Sequence, residues 1–402
     1  MRYFFSSLHN YLDIGSGAAV TTREELLALS RRGHEARTLC GALFDGEGSG
    51  EEELVRTLNC LGITSRRRVT TAKVDGVRVR FREYCFNDAG VDSTVFVPID
   101  ERGFETSWNP ASEASFLAIL EQEFDEFVPE ILATYGGQAT VSATAKKARR
   151  KGIKSVFMLH NLSYRDPTPF SLFDAVVVPS EFARTYYKRT LGFGAKVVAP
   201  LIDPKKVIAA NRDPRYLTFV NPTQEKGLFF FVGIARELCK RRPDIPILIV
   251  EGRGKVADLG KIPEARRLTN LRRLERVACP SEFLRETRVL IFPSLCEESF
   301  GRVVVEAGMN GAPVVCSDRG AIPEVVGDSD LVLPIPSRFR PELQLIPTAE
   351  EIEPWLATIT SLWDDASLRE RTGERLREFV RRFDYDATCV CFVNVLSEII
   401  EF

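Results

Sequence analysis

Phe292-Pro293-Ser294-Leu295-Cys296-Glu297-Glu298-Ser299-Phe300-Gly301-Arg302-Val303-Val304-Val305-Glu306-Ala307 is the stretch whose reading decides the fold. Residues 289–292 are apolar and read as a buried strand, followed by a short polar loop and then a helix. The free main-chain N–H groups of such a loop and of the first helical turn form an anion site suited to a phosphate. Seven residues separate Glu298, in the loop, from Glu306, about one turn into the helix. Two carboxylates beside a phosphate-binding helix end are placed to accept hydrogen bonds from sugar hydroxyls. The spacing alone means little, and the context gives it weight. Ser299-Phe300-Gly301 precedes the helix, and the turn Asn310-Gly311-Ala312-Pro313 follows it. Next come the strand Val314-Val315-Cys316, then Ser317-Asp318-Arg319-Gly320 and Pro323-Glu324-Val325-Val326-Gly327-Asp328.

Working outward, strand-like and helix-like segments alternate along the whole chain, the α/β pattern of parallel sheets covered by helices. Strands are expected at 2–6, 35–39, 131–135, 155–160 and 175–179. Helices are expected at 21–32, 140–151 and 180–191, with Gly33 as a helix C-terminal glycine. A hairpin interrupts the rhythm: Val77, Val79 and Phe81 alternate with Arg78, Arg80 and Arg82 after an Asp75-Gly76 turn. Residues 201–215 read as a linker. A second series then has strands at 216–220, 245–250, 289–292 and 313–316. Two helical stretches follow within 349–383, split at Asp364-Asp365, and a last helix covers 388–400 behind Asp384 and Asp386 as capping candidates.

Composition narrows the function classes. The 402 residues exceed one typical domain, so two are expected. A formal net charge of −2 argues against a dedicated nucleic-acid binder. No apolar run reaches the roughly 18 residues of a membrane span. Residues 1–7 read as a buried strand rather than a secretory leader. The nine cysteines are scattered with no Cys-x-x-Cys pair, and only three histidines occur, so a structural zinc site has no ligand spacing to rest on. Buried free thiols in a reducing cytoplasm are the expectation.

With these motifs in view, the sequence resembles the retaining glycosyltransferases of family 4. The E-x7-E segment and the downstream Pro-Val-Val, Ser-Asp-x-Gly and Pro-Glu-Val elements carry the resemblance. Weaker matches extend over the chain: Gly15-Ser16-Gly17, Arg31-Arg32-Gly33-His34-Glu35, Val178-Pro179-Ser180-Glu181, Glu225-Lys226-Gly227 and Val250-Glu251-Gly252-Arg253-Gly254. The resemblance implies the GT-B fold, two Rossmann-like doubly wound domains facing across a cleft. The first, 1–205, would take the acceptor, with 386–402 packing back on it. The second, 213–385, would bind the nucleotide sugar. Glu298 would contact hydroxyls of the donor sugar, Glu306 the ribose and Lys226 the diphosphate. The amides of Gly15, Gly17, Ser299, Phe300, Gly301 and Arg302 would support phosphates and sugar, and His160 would face the transferred sugar. The resemblance further implies retention of configuration, a nucleoside diphosphate sugar as donor and no obligatory metal or other cofactor. One departure stands out. The family commonly has an arginine five residues before the Lys-Gly lysine, as a second diphosphate contact, and this chain has Asn221. Arg302 is the candidate for the missing charge.

Each reading has a plainer rival. Lys226 could be a solvated lysine, although a cation at a helix start is unfavourable without an anion near it. His160 could be a structural histidine, and Gly15 to Gly17 a simple tight turn without a full dinucleotide fingerprint. His34 reads as a packing and capping residue. The pairs Asp328/Asp330 and Asp384/Asp386 have metal-ligand spacing but read as a turn and a helix cap. The basic clusters at 66–68 and at 146–151 read as solvated faces, with docking to an anionic membrane or a lipid-linked acceptor as the alternative. Rival functions are a nucleotide-sugar 2-epimerase on the same fold, a non-catalytic sugar-nucleotide binding module and a nicotinamide oxidoreductase. The expected location is cytoplasmic, or peripheral at the inner membrane face.

Overall fold

The computed structural model describes residues 1–45, 50–74, 76–327 and 329–401. Asp75 of the expected turn and Asp328 of the first aspartate pair lie outside the described residues. The chain divides into two compact units: Met1–Pro179 with Arg184–Leu201 and Thr388–Phe402, and Ser180–Ala183 with Ile202–Ala387.

In chain order, unit 1 holds strands β1 (Arg2–His9), β2 (Glu35–Leu43), β3 (Ser65–Val74), β4 (Val77–Asp88), β5 (Val91–Ile99), β6 (Ile131–Thr134), β7 (Lys154–Met158), β8 (Ala175–Val178) and β9 (Lys196–Val197). Its helices are α1 (Gly17–Arg31), α2 (Gly50–Cys60), α3 (Pro110–Phe127), α4 (Ala139–Arg150) and α5 (Glu181–Leu191), the last starting in the segment grouped with unit 2. Among the described residues the strands form one nine-stranded sheet in the order β3-β4-β5-β2-β1-β6-β7-β8-β9. From β5 to β9 every pairing is parallel. Parallel strands covered on both faces need apolar residues at successive positions, and six consecutive residues of β1 are buried. Phe4, Phe81, Phe96, Phe116, Leu120 and Phe124 meet in one cluster. Each such side chain contributes about 1.5–3 kcal/mol on full burial.

The expected hairpin is part of something larger. β4 runs antiparallel to both β3 and β5, so three strands extend the parallel sheet at one edge. Arg66, Arg67 and Arg68 lie exposed on the edge strand β3. Such charges protect a sheet edge from pairing with another chain. Helix α1 begins four residues before the expected start, at Gly17, and the two alanines that follow favour helix.

Unit 2 starts in the expected linker, where the short helix α6 (Pro204–Val207) forms because Asp203 accepts the Lys205 N–H at 2.9 Å. Strands β10 (Tyr216–Val220), β11 (Ile247–Val250), β12 (Leu271–Leu274), β13 (Thr287–Phe292), β14 (Val314–Ser317) and β15 (Val332–Leu333) alternate with α7 (Leu228–Arg241), α8 (Ser281–Leu284), α9 (Arg302–Met309) and α10 (Ile322–Val326). Their order is β12-β11-β10-β13-β14-β15, all parallel. Helices α11 (Ala349–Asp364) and α12 (Ala366–Val380) divide at Asp365, whose carboxylate accepts the Leu368 N–H at 2.9 Å.

Residues 180–183 group with unit 2, unlike the expected boundary at 205. Ser180 Oγ donates to the Ser299 carbonyl at 2.7 Å, and the Phe182 N–H donates to Glu324 at 2.8 Å. The final helix, α13 (Tyr385–Glu401), contributes residues 388 onward to unit 1. Its Phe392 packs edge-on to Tyr3 at 6.3 Å between ring centroids. Among the described residues no helix is long and apolar enough to cross a membrane.

Candidate functional site

The strand order of unit 2 reverses between β10 and β13: β11 and β12 continue outward on one side, β14 and β15 on the other. Open α/β sheets bind ligands beyond the carboxyl ends of the strands at such a switch point. Lys226 follows β10, and Glu298 follows β13. Their side chains meet, with Lys226 Nζ 2.6 Å from Glu298 Oε1 and 2.8 Å from Oε2. The same ammonium lies 5.4 Å from the centre of the Phe292 ring. Burial alone would lower the Lys226 pKa, but the Glu298 carboxylate more than offsets it and leaves the pKa raised, so the lysine is a cation.

Two backbone approaches hold this pair. Gly227 has φ 83°, and a Cβ there would lie 2.0 Å from the Pro293 carbonyl oxygen, so the Lys-Gly turn admits only glycine against the β13 loop. Gly320 has φ 64°, and its Cβ would fall 2.2 Å from the Glu298 carbonyl oxygen. The Ala321 N–H donates to that oxygen at 2.8 Å. The Ser-Asp-Arg-Gly turn therefore works by clamping the backbone of Glu298. Ser294 Oγ donates to Glu298 Oε1 as well. The Cys296 thiol lies 3.7 Å from the same oxygen, and its burial, with the carboxylate beside it, pushes its pKa up to about 11.

Beyond Glu298 the loop enters α9 through Gly301, which has φ 96°. The Gly301 cap brings no side-chain hydrogen bond to the first turn of α9. The ring of Phe300 is buried against Phe383 at 5.1 Å, which takes its side chain out of reach of a ligand. Glu306 is 7% exposed, with Arg302 Nε at 3.5 Å from its Oε1. The guanidinium expected to supply the missing phosphate charge thus sits beside the carboxylate expected at the ribose.

Asn221 is the residue whose role sequence reasoning had least purchase on. Its φ is 59°, in the left-handed region that asparagine tolerates better than most residues. Its Oδ1 accepts the Gly254 N–H at 3.0 Å, and its own N–H donates to the Val250 carbonyl at 2.8 Å. It ties the end of β10 to the loop after β11.

Three expected site residues belong to unit 1. The Gly15 N–H donates to Asp13 at 2.8 Å, and Gly17 is the exposed first residue of α1. His160 lies two positions past β7, half-buried, with its ring edge-on to Tyr135 at 5.7 Å. Of the basic clusters, Arg68 pairs with Glu83 and Lys147 with Glu121 at 2.6 Å, while Lys151 pairs with Asp125. Asp384 caps α13 by accepting the Ala387 N–H at 2.9 Å. Among the described residues no group of three or more histidine, cysteine, aspartate or glutamate side chains is placed to hold a metal ion.

Residues 214–342 match the family described as Glycosyl transferases group 1. The chain is 29% identical over 234 residues to a phosphatidyl-myo-inositol mannosyltransferase of Mycolicibacterium smegmatis, a match covering 56% of this chain and 57% of that protein. It is 30% identical over 114 residues to a D-inositol 3-phosphate glycosyltransferase of Corynebacterium efficiens, covering 28% and 24% of the two chains. The matches thus span little more than half the length of the first of these relatives and about a quarter of the second. Solved structures agree over the whole length. Sucrose-phosphate synthase from Thermosynechococcus elongatus superposes with a TM-score of 0.70 at 14% identity, over 100% of this chain and 99% of that one. Anabaena HepE in complex with UDP-glucose gives 0.67 at 16% identity, over 99% and 100%.

Proposed function

We propose that this chain, which has the GT-B fold and matches Glycosyl transferases group 1 over residues 214–342, is a glycosyltransferase that moves a sugar from a nucleoside diphosphate sugar to an acceptor hydroxyl. The Lys226–Glu298 pair at the switch point of unit 2 carries this reading. Lys226 would meet the diphosphate, Glu298 the hydroxyls of the donor sugar and Glu306 the ribose. The amides of residues 299–302 would add uncharged donors to the phosphates. In unit 1 the same reading assigns His160 to the transferred sugar, and the amides of Gly15 and Gly17 to phosphate.

We further propose retention of configuration without an obligatory metal. The bond from the anomeric carbon to the phosphate oxygen breaks, and the acceptor oxygen bonds to the same face. The acceptor proton passes to the departing phosphate. The protein's contribution is then fixed positive charge where negative charge grows.

The names of both curated relatives contain an inositol bearing a phosphate. Phosphatidylinositol and inositol phosphates are therefore the first acceptors to try. A lipid-linked acceptor would bring the protein to an anionic membrane face, where the exposed arginines of β3 could dock. The test begins with thermal shift against UDP-, GDP-, ADP- and TDP-sugars, since a ligand at 100 times its Kd stabilises by about 2.7 kcal/mol. Product analysis by NMR with the stabilising donor then reads the anomeric configuration. An epimerised sugar formed from donor alone would overturn the transferase reading, and binding without turnover across the acceptor panel would favour a binding module.

A further inference from the structure

The diphosphate site of the proposed function has one cation from Lys226, and Asn221 stands where the resemblance to family 4 implies a second. The geometry around Asn221 shows what that asparagine does instead. It stands at the end of β10, next to β11 in parallel register, with Val220 opposite Val250. Residues 251–256 leave β11 and turn back. The Gly254 N–H donates to Asn221 Oδ1, and a Cβ on Gly254 would lie 2.3 Å from the Pro222 carbonyl oxygen. A Cβ on Gly252 would lie 2.7 Å from Asn221 Oδ1. Arg276 donates to the Gly252 carbonyl at 2.9 Å, and the Glu251 carboxylate accepts the Val256 N–H at 2.8 Å. Both glycines are buried, and the one residue between them, Arg253, is exposed. An arginine flanked by two glycines packed against Asn221 and Pro222 has its backbone position fixed while the residue stays exposed.

We propose that Arg253 is the second cation of the diphosphate site, held at the strand ends by the Asn221 anchor of its loop. The second charge then stands at the tip of the neighbouring loop, and Asn221 is the peg that holds that loop. The Arg253 charge is felt at Lys226, where it opposes the raised pKa set by Glu298, as expected of two cations near one anion site. A planar guanidinium adds what the lysine lacks, a bidentate grip on phosphate oxygens.

This inference rests on the proposed function, and the experiment separates the two. Isothermal titration of the full chain with UDP, GDP, ADP and TDP identifies the best-bound diphosphate. That ligand and its monophosphate are then titrated into Arg253→Ala, Arg253→Lys and Lys226→Ala. Loss of one charge-assisted contact predicts roughly tenfold or greater weakening of the diphosphate by Arg253→Ala, a clearly smaller effect on the monophosphate, and partial recovery in Arg253→Lys. Because Arg253 is exposed, its variants should melt with the wild type. Arg253→Gln replaces Arg253→Ala if the latter does not fold. Equal loss for both ligands, or no loss while Lys226→Ala weakens binding, overturns the role of Arg253 and leaves the proposed function standing. Failure of the wild type to bind any of the four overturns both.

Discussion

Glu298 receives the Lys226 ammonium on both of its carboxylate oxygens, at 2.6 and 2.8 Å. Glu298 is 7% exposed, so removing the lysine alone strands a buried carboxylate. Lys226→Met should destabilise by about 3–5 kcal/mol, the usual cost of breaking a buried pair from one side. Adding Glu298→Gln should restore most of the melting temperature and none of the turnover. A double variant no more stable than Lys226→Met would remove the pair from the fold's support, and a double variant with wild-type turnover would remove it from the chemistry.

Glu306→Ala should weaken the free nucleoside diphosphate by about 1.5–3 kcal/mol, the worth of a charge-assisted hydrogen bond to ribose. Arg302 lies beside this carboxylate, so Arg302→Ala should couple to Glu306→Ala rather than add to it. Calorimetric Kd values for the two single variants and the double variant check this. Strict additivity would separate Arg302 from the ribose side of the site.

Asn221→Arg should not repair a phosphate contact. The backbone at φ 59° disfavours arginine, and the Gly254 N–H would lose its acceptor. The expected cost is about 1–3 kcal/mol from strain and an unsatisfied amide. A melting temperature equal to the wild type, with a lowered donor KM, would contradict that account.

Cys296 should resist alkylation at pH 8, since its thiol titrates near 11 and the thiolate is the reactive form. Cys60 and Cys391 are exposed and should label first. Peptide mapping after brief iodoacetamide treatment ranks them, and labelling of Cys296 ahead of both would mean a more open site.

Turnover should persist in excess EDTA, because the proposed charge stabilisation comes from side chains and amides. Complete loss, restored by magnesium or manganese, would require a metal bridging the diphosphate.

What could be read in advance follows from how local each signal is. The strand, loop and helix around Glu298 are continuous in sequence, and their apolar runs and glycines mark them. The break between α11 and α12 was equally visible, because a helix cap is a local contact. Helix α3 escaped notice although Asn109 and Pro110 announce it, the asparagine capping two N–H groups and the proline opening the first turn. In β5 the polar residues Asp92 to Thr94 and then Pro98 break up the apolar signal, and β15 has only two residues to show. The role of Asn221 could not be read locally, since its partner lies 33 residues away. Nor could the pairing of Lys226 with Glu298, 72 residues apart, be seen before both strands were placed in one sheet.

The last helix has a consequence for biosynthesis. Phe392, Leu396 and Ile399 of α13 are buried in unit 1, and Arg32 Nε lies 2.7 Å from Cys389 Sγ. The ribosome makes β1 before α13, with all of residues 202–387 between the two parts of unit 1. At about 5–20 residues per second, the sheet of unit 1 spends many seconds with the Tyr3 face still waiting for Phe392. Unit 1 thus starts before unit 2 is made and is completed only after it.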